Sequence, residues 1–268
     1  MQVEYLQQTY QVSVGRACRL VNLARSLYYY QGQKKDDTVI EKLQQMVDKR
    51  PMEGFWKIHL RLRKEGLGWN HKRVYRIYKL LNFHKKRKGK RRLAPRTAQP
   101  LEAVDRINVC WSMDFMSDAL VSGRRFRVLN LLDDFNREAL VIEIDTSFRA
   151  ERVIRVLEQT IDWRGKPKRL RVDNGPEFIS GKLALWCEQQ EIILQFIQPG
   201  KPTQNAYIER FNGSFRRDIL DVYLFENLTQ VRLLAQEWME DYNCYRPHDA
   251  LQGRSPADLL VTDPYSQN

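Results

Sequence analysis

Apolar residues along this chain follow two different rhythms. In the first third they recur every three or four positions. Val39, Ile40, Leu43, Met46 and Val47 make one stripe, which Pro51 ends. Val74, Ile77, Tyr78 and Leu81 make another, with Arg73, Arg76 and Lys79 on the opposite side. Asn70 suits the N-cap of that second helix, and Gly66 and Gly68 stand in the turn before it. A short helix, a Gly-containing turn and a basic helix predict a helix-turn-helix type region in which Arg73, Arg76 and Lys79 meet DNA. A structural hairpin with a solvated basic face would carry the same pattern. A weaker pair of helices is predicted between Ser13 and Tyr30.

Beyond Leu101 the period shortens to two. Residues 108–116, 126–132 and 139–145 read as strands, divided by turn signals at Ser122-Gly123 and Asp134-Phe135-Asn136-Arg137. A helix is predicted over 149–163, a strand over 168–173, a helix over 181–191 and a strand over 192–197. Three consecutive strands followed by alternating helix and strand imply an α/β fold, a mixed five-stranded sheet flanked by helices. A last helix over 229–242 carries Val231, Leu234, Trp238 and Tyr242. The chain thus divides into a helical DNA-binding region (1–84), a linker (85–100), an α/β core (101–225) and a C-terminal helix with a tail (226–268).

Charge sharpens this picture. Lys and Arg total 45 against 33 acids, a net charge of +12, which favours a polyanionic partner. The run HKKRKGKRRLAPR from His84 to Arg96 concentrates that charge where apolar periodicity vanishes, either to neutralise phosphates or simply as a solvated tether. No apolar stretch is long enough to cross a bilayer and no signal-peptide pattern opens the chain, so the expectation is a cytoplasmic protein with no membrane partner. Four dispersed cysteines and four dispersed histidines lack zinc-site spacing.

Three acids stand out. Asp114 interrupts the apolar strand INVCWSMDFM, on the same face as Cys110, Ser112 and Met116. Such a carboxylate must be paired, protonated, solvated at the strand end or bound to a cation. Asp173 ends the strand RLRVD, where ligands gather in open α/β sheets, although Asp-Asn-Gly-Pro also suits an Asx turn. Glu209 falls on a helix beginning near Thr203, where Ile208, Phe211, Phe215 and Ile219 form an apolar stripe. Asn205, Glu209, Asn212 and Arg216 form a polar stripe beside it. An exposed helical Glu is the plain alternative. Three oxygen ligands on separate elements suit a hard cation such as Mg²⁺, with Mn²⁺ as the substitute. Such ions stabilise an in-line displacement at a phosphodiester. No Gly-rich phosphate loop or histidine-paired nucleophile competes.

The spacing of these acids resembles a known signature. Thirty-five residues separate Asp173 from Glu209, and Arg216 follows Glu209 by seven. This is similar to the D, D(35)E pattern of the retroviral-integrase superfamily, carried here by WSMDFM, RVDNGPEF and PGKPTQNAYIERFNGSFRRD. The terminal YNCYRPHDALQGRSPADL and the N-terminal GFWKIHLRLRKEGLGWNHKRVYRIYKLL resemble the OrfB-type subunit of the insertion-sequence-three transposases. The resemblance implies a ribonuclease H-like core with Asp114, Asp173 and Glu209 as the catalytic, Mg²⁺-holding acids. It also implies cleavage at element ends and strand transfer into target DNA.

By the same resemblance Arg216 would contact DNA near the cut, with a salt bridge as the alternative, and Lys201 and Asn205 would help to shape the site. It further implies assembly as a homo-oligomer on terminal inverted repeats, action with or fusion to an upstream-frame DNA-binding product, and a bacterial, nucleoid-associated location. Asp133 and Asp134 are expected to be structural at the hairpin, and Glu177 to be no ligand. A non-catalytic DNA-binding regulator and a hydrolytic nuclease of the same fold are the rival readings.

Overall fold

The computed structural model describes residues 2–30, 36–84, 104–175, 178, 181–198 and 202–262, and the chain divides into two compact units, 1–42 and 43–268. The predicted linker over 85–100, Lys201 and Glu177 lie outside the described residues. The first unit holds α1 (Gln2–Tyr10), α2 (Val14–Leu20) and α3 (Arg25–Tyr28). Ser13 caps α2 by accepting the Arg16 N–H, and Val3, Ala17 and Cys18 form the buried centre. The weak pair expected between Ser13 and Tyr30 is α2 and α3. The division between the units falls within α4 (Asp37–Lys49).

The second unit opens with the predicted hairpin, α5 (Phe55–Lys64) and α6 (His71–Leu80). Gly66, at φ +84°, takes the left-handed conformation that ends α5, and the Asn70 carboxamide accepts the Lys72 N–H at 2.9 Å to start α6. Ile58, Leu62, Val74, Ile77 and Tyr78 are buried, as the helical period requires.

Five strands follow: β1 (Cys110–Ala119), β2 (Arg125–Asp133), β3 (Ala139–Asp145), β4 (Arg169–Val172) and β5 (Ile193–Phe196). Their order in the sheet is β3-β2-β1-β4-β5; β1 to β3 are antiparallel, and β4 and β5 run parallel to β1. The hairpins turn where the sequence signals them, with Gly123 at φ +79° and Arg137 at φ +63°. α7 (Ala150–Arg164) makes the crossover from β3 to β4, and α8 (Gly181–Gln189) the crossover to β5.

Helices cover both faces. On one side Trp111, Met113, Leu129 and Leu131 pack with Val153, Leu157, Leu183 and Trp186 of α7 and α8. On the other, Met116, Phe126, Val128 and Leu132 pack with α9 (Ala206–Phe215) through Ile208, Phe211 and Phe215. A π-helical turn, Arg216–Leu220, prolongs α9. α10 (Leu228–Cys244) joins the same core through Val231, Ala235, Trp238 and Tyr242, so the terminal helix is part of the sheet's cover. Ala235 is buried, while Leu234 lies at the margin of that core. α11 (Pro256–Thr262) is the last described element.

An ion cluster fastens the α5–α6 hairpin to this body. Arg61 is only 4% exposed; it donates to both carboxylate oxygens of Glu53, at 2.8 and 2.7 Å, and to Asp241 of α10, at 2.6 and 2.9 Å. Arg50 also pairs with Asp241, and Lys64 reaches Asp258 of α11 at 2.9 Å. A buried guanidinium is tolerated here because carboxylates meet it on two sides.

Candidate active site

Strand register brings the first two acids level. β1 and β4 pair Cys110 with Arg169, Trp111 with Leu170 and Ser112 with Arg171. Two residues further along the same register stand Asp114, still on β1, and Asp173, just past the end of β4. Neighbouring strands lie about 4.8 Å apart, and paired residues share a face. Asp173 also makes the Asx turn: its Oδ1 accepts the Gly175 N–H at 2.9 Å.

The third acid arrives on α9. Asp114 sits opposite Asn130 of β2, on the face that α9 covers. The Asn130 carboxamide donates to Asn212 Oδ1 at 2.7 Å, and Asn212 Nδ2 donates to Asp114 Oδ2 at 2.7 Å. Asn212 therefore ties α9 to the centre of the sheet. Glu209 lies three residues earlier, on the same side of the helix as Asn212, and remains exposed.

Electrostatics report the proximity of all three. Burial pushes the Asp114 carboxyl up to about 6; its own Phe115 N–H, at 2.8 Å, works against that rise. The negative charges of Asp173 and Glu209 raise it further, and the Asn212 amide draws it back. Among the described residues no three Asp, Glu, His or Cys side chains have converged into a metal-holding group. Like charges repel, and Asp114 and Asp173 are each held by local N–H donors. The donor chemistry nonetheless fits a hard cation: carboxylate oxygens, without sulfur or imidazole. A cation there would relieve the repulsion that raises Asp114.

The structure places the other candidates individually. Arg216 is half-buried, donates to the Ser117 carbonyl at 2.9 Å and stands 3.5 Å from Asp118, both at the far end of β1. Asn205 is buried at the foot of α9, and its Oδ1 has no hydrogen-bond partner. Arg76 and Lys79 are exposed on α6 and line an open groove with Trp56, Tyr75, Lys57 and Lys72; Arg73 is half-buried beside it. Asp133 and Asp134 are structural. Asp133 accepts the Asn108 and Phe135 N–H groups, while Asp134 accepts from Ser112 Oγ at 2.6 Å and pairs with buried Arg171 at 2.6 Å. Cys18, Cys110 and Cys187 are free and buried, and burial pushes the Cys110 thiol up to about 12.

Sequence reading passed over Asn130 and gave Asn212 no role of its own. The signal was present in β2. Phe126, Val128 and Leu132 alternate toward α9, and Asn130 occupies the same face where a fourth apolar residue is due.

Two stretches match the integrase core domain family, residues 105–202 and 190–256, and residues 34–91 match an HTH-like domain family. Similarity extends over most of the length of relatives. An uncharacterized 31.7 kDa protein of insertion element IS407 from Burkholderia multivorans is 38% identical over 252 residues, covering 93% of this chain and 91% of its own. The transposase InsD for insertion element IS2 of Escherichia coli is 27% identical over 264 residues, covering 92% and 87%. Among solved structures, a chain of the simian T-cell lymphotropic virus intasome in complex with PP2A regulatory subunit B56 gamma superposes with TM-score 0.53. It is 15% identical and covers 84% of this chain and 76% of its own, a likeness of fold.

Proposed function

The chain belongs to the insertion-element transposases, in the OrfB-type group of the insertion-sequence-three family, and on that premise we propose that Asp114, Asp173 and Glu209 carry its DNA cleavage and strand transfer. The observation that carries this reading is the convergence on Asp114: strand register sets Asp173 level with it at the end of β4, and the charges of Asp173 and of Glu209 on α9 both raise its carboxyl. These acids would hold divalent metal, Mg²⁺ or Mn²⁺. When bound, it supplies Lewis-acid stabilisation of the charge that develops on the phosphoryl oxygens.

The protein's own residues set the geometry. Asn212 orients Asp114 by donating to Oδ2, and Asn130 fixes Asn212 from the other side. The Gly175 N–H holds Asp173 Oδ1, so the second oxygen would be the one to meet a cation. Arg216, which opens the π-helical turn after α9, would position a DNA phosphate beside the cut, exchanging its contacts with Ser117 and Asp118 for it. Lys201 and Asn205 would shape the approach to Glu209. Arg73, Arg76 and Lys79 of α6 would bind the terminal inverted repeats. Bringing two element ends and a target together calls for a homo-oligomer on DNA, acting with an upstream-frame product where one exists. No helix of the described residues is long and apolar enough to cross a membrane, in keeping with work on DNA in the bacterial cytoplasm.

The test is a cleavage and joining assay on terminal-repeat DNA with Mg²⁺, with the upstream-frame product supplied if required. Wild type cleaves and joins, whereas Asp173→Asn loses both and keeps DNA binding. Binding without cleavage under every such condition would favour the regulator, and cleavage without joining the nuclease.

A further inference from the structure

Along α9, at Ala206, Tyr207, Arg210 and Ser214, lies a cavity of about 410 Å³ that the catalytic reading does not use. Lys57 of α5, Arg137 of the β2–β3 turn, Arg210 of α9 and Arg246 after α10 line it, with His248 and a single acid, Asp249. The last three positions come from the YNCYRPHD stretch, to which the three-acid site gives no role. We propose that this cavity is a phosphate-binding site, filled by a backbone phosphate of DNA other than the one that is cut. Only the source of the phosphate rests on the DNA-transposase reading above.

Arg137 is the clearest sign. It sits at φ +63° in the β2–β3 turn, a conformation that favours Gly or Asn, so an Arg at this position carries a backbone cost. The guanidinium lies over the Tyr207 ring, 3.3 Å from the ring centroid, and its Nη1 is buried with no hydrogen-bond partner. A buried guanidinium N–H without an acceptor is costly, and a phosphate oxygen in the cavity is the acceptor it lacks.

The neighbours repeat the theme. Arg246 is spoken for by Asp218 of the π-helical turn, but among the described residues neither Lys57, Arg137 nor Arg210 has a carboxylate within ion-pair distance. Lys57 feels the crowding: burial lowers its pKa, and the charge of Arg246 lowers it further, only partly offset by Asp249 and Glu53. An anion among these groups would reverse that. His248 is pushed by burial down to about 4, so it stays neutral and the charge belongs to the Lys and Arg side chains. Lys57 and Asp249 also line the groove along α5 and α6 that holds Trp56, Tyr75, Lys72, Arg76 and Lys79. The basic surface is therefore continuous from the helical hairpin to the catalytic helix, a path that suits a nucleic-acid strand.

The experiment measures binding of a labelled duplex against salt for the full chain, the variants Arg137→Gln and Lys57→Gln, and Arg155→Gln, exposed on the outer side of α7, as a charge control. Each phosphate that is no longer neutralised lowers the log–log salt slope by about 0.9, so the affinity drop between about 50 and 200 mM salt shrinks about 3.5-fold. That change in the cavity variants alone, with melting temperatures near wild type, supports the proposal. An equal change in Arg155→Gln overturns it as a general effect of charge. A second arm follows thermal stabilisation by inorganic phosphate against chloride at equal ionic strength. Loss of that stabilisation in the cavity variants with an unchanged DNA slope keeps the anion site but refutes DNA as its source. Wild-type behaviour in both arms refutes the site. Failure of the three-acid reading would appear instead as undiminished cleavage by Asp173→Asn, which these binding measurements do not depend on.

Discussion

Replacing Asp114 with Asn should make the metal-free protein more stable near neutral pH while it abolishes cleavage. The carboxyl titrates at about 6 in the folded chain against 3.8 for an ordinary Asp. Below pH 3.8 it is protonated in both states and contributes no difference. As pH rises from 3.8 to 6 the unfolded chain ionises first, so stability is lost across that window and the loss is complete above it. At 1.36 kcal/mol for each pH unit, the full effect is about 3 kcal/mol. Asn cannot titrate, so the stability of Asp114→Asn relative to wild type should climb by about 2.4 kcal/mol between pH 4 and pH 7, the rest of the change lying below pH 4.

Taking the difference between the two proteins matters because other groups titrate in the same range. Asp133, pushed up to about 6 by burial, acts with the same sign as Asp114. His248, pushed down to about 4, acts with the opposite sign and costs stability as pH falls below 6.5. Both are present in each protein and cancel. Urea unfolding at a series of pH values in EDTA gives the difference directly. Repeating it with Mg²⁺ at about 100 times its dissociation constant should return about 2.7 kcal/mol to wild type and little to the variant. A difference that stays flat from pH 4 to 7, or equal stabilisation of both proteins by Mg²⁺, would refute the electrostatic account of the site.

Other outcomes follow from the same interactions. Asn212→Leu removes the donor to Asp114, so cleavage should fall roughly 10–100-fold, the worth of a hydrogen bond to a charged group. The acid limb of its pH–rate profile should move to higher pH, because that hydrogen bond holds the Asp114 pKa down. Arg61→Ala takes from Glu53 its two short hydrogen bonds, leaving only Arg246 at 3.9 Å, and takes one of two cations from Asp241; it should cost about 3–5 kcal/mol in urea unfolding. Arg61→Met combined with Glu53→Leu should cost much less than Arg61→Ala, since it removes the stranded charge. With six to ten phosphates contacted, DNA affinity should drop about 10³–10⁵-fold between about 50 and 200 mM salt, as fluorescence anisotropy would show.

Much of the sheet could be read from the chain because each strand states its faces locally. Trp111 and Met113 point to one core and Met116 to the other, as alternation requires. The crossovers were equally plain, since 150–164 and 181–189 carry helical stripes between short strands. Asp114 stood out because an apolar strand explains a carboxylate poorly, whereas Asp173 and Glu209 each had a plain local reading, an Asx turn and an exposed helical position, and were singled out by their spacing. Their meeting was a different matter, because it depends on strand register and on how α9 lies across β1 and β2. The Asn130–Asn212–Asp114 relay joins positions 82 and 98 residues apart, which no local pattern can pair. α10 was predicted as a helix but set apart from the core, because its apolar stripe does not say which surface it covers. Ala235 shows the same limit: its burial reflects the close fit of that surface, where hydrophobicity alone would have chosen Leu234.

The Arg61 cluster has a bearing on where the enzyme cuts. With α5 locked to α10 by salt bridges, the hairpin that would grip an element end and the carboxylates that would sever it behave as one caliper. The interval between the gripped sequence and the severed bond then becomes a fixed gauge in the protein. DNA ends with base pairs added between these points would still be held, but would offer the blade the wrong phosphate.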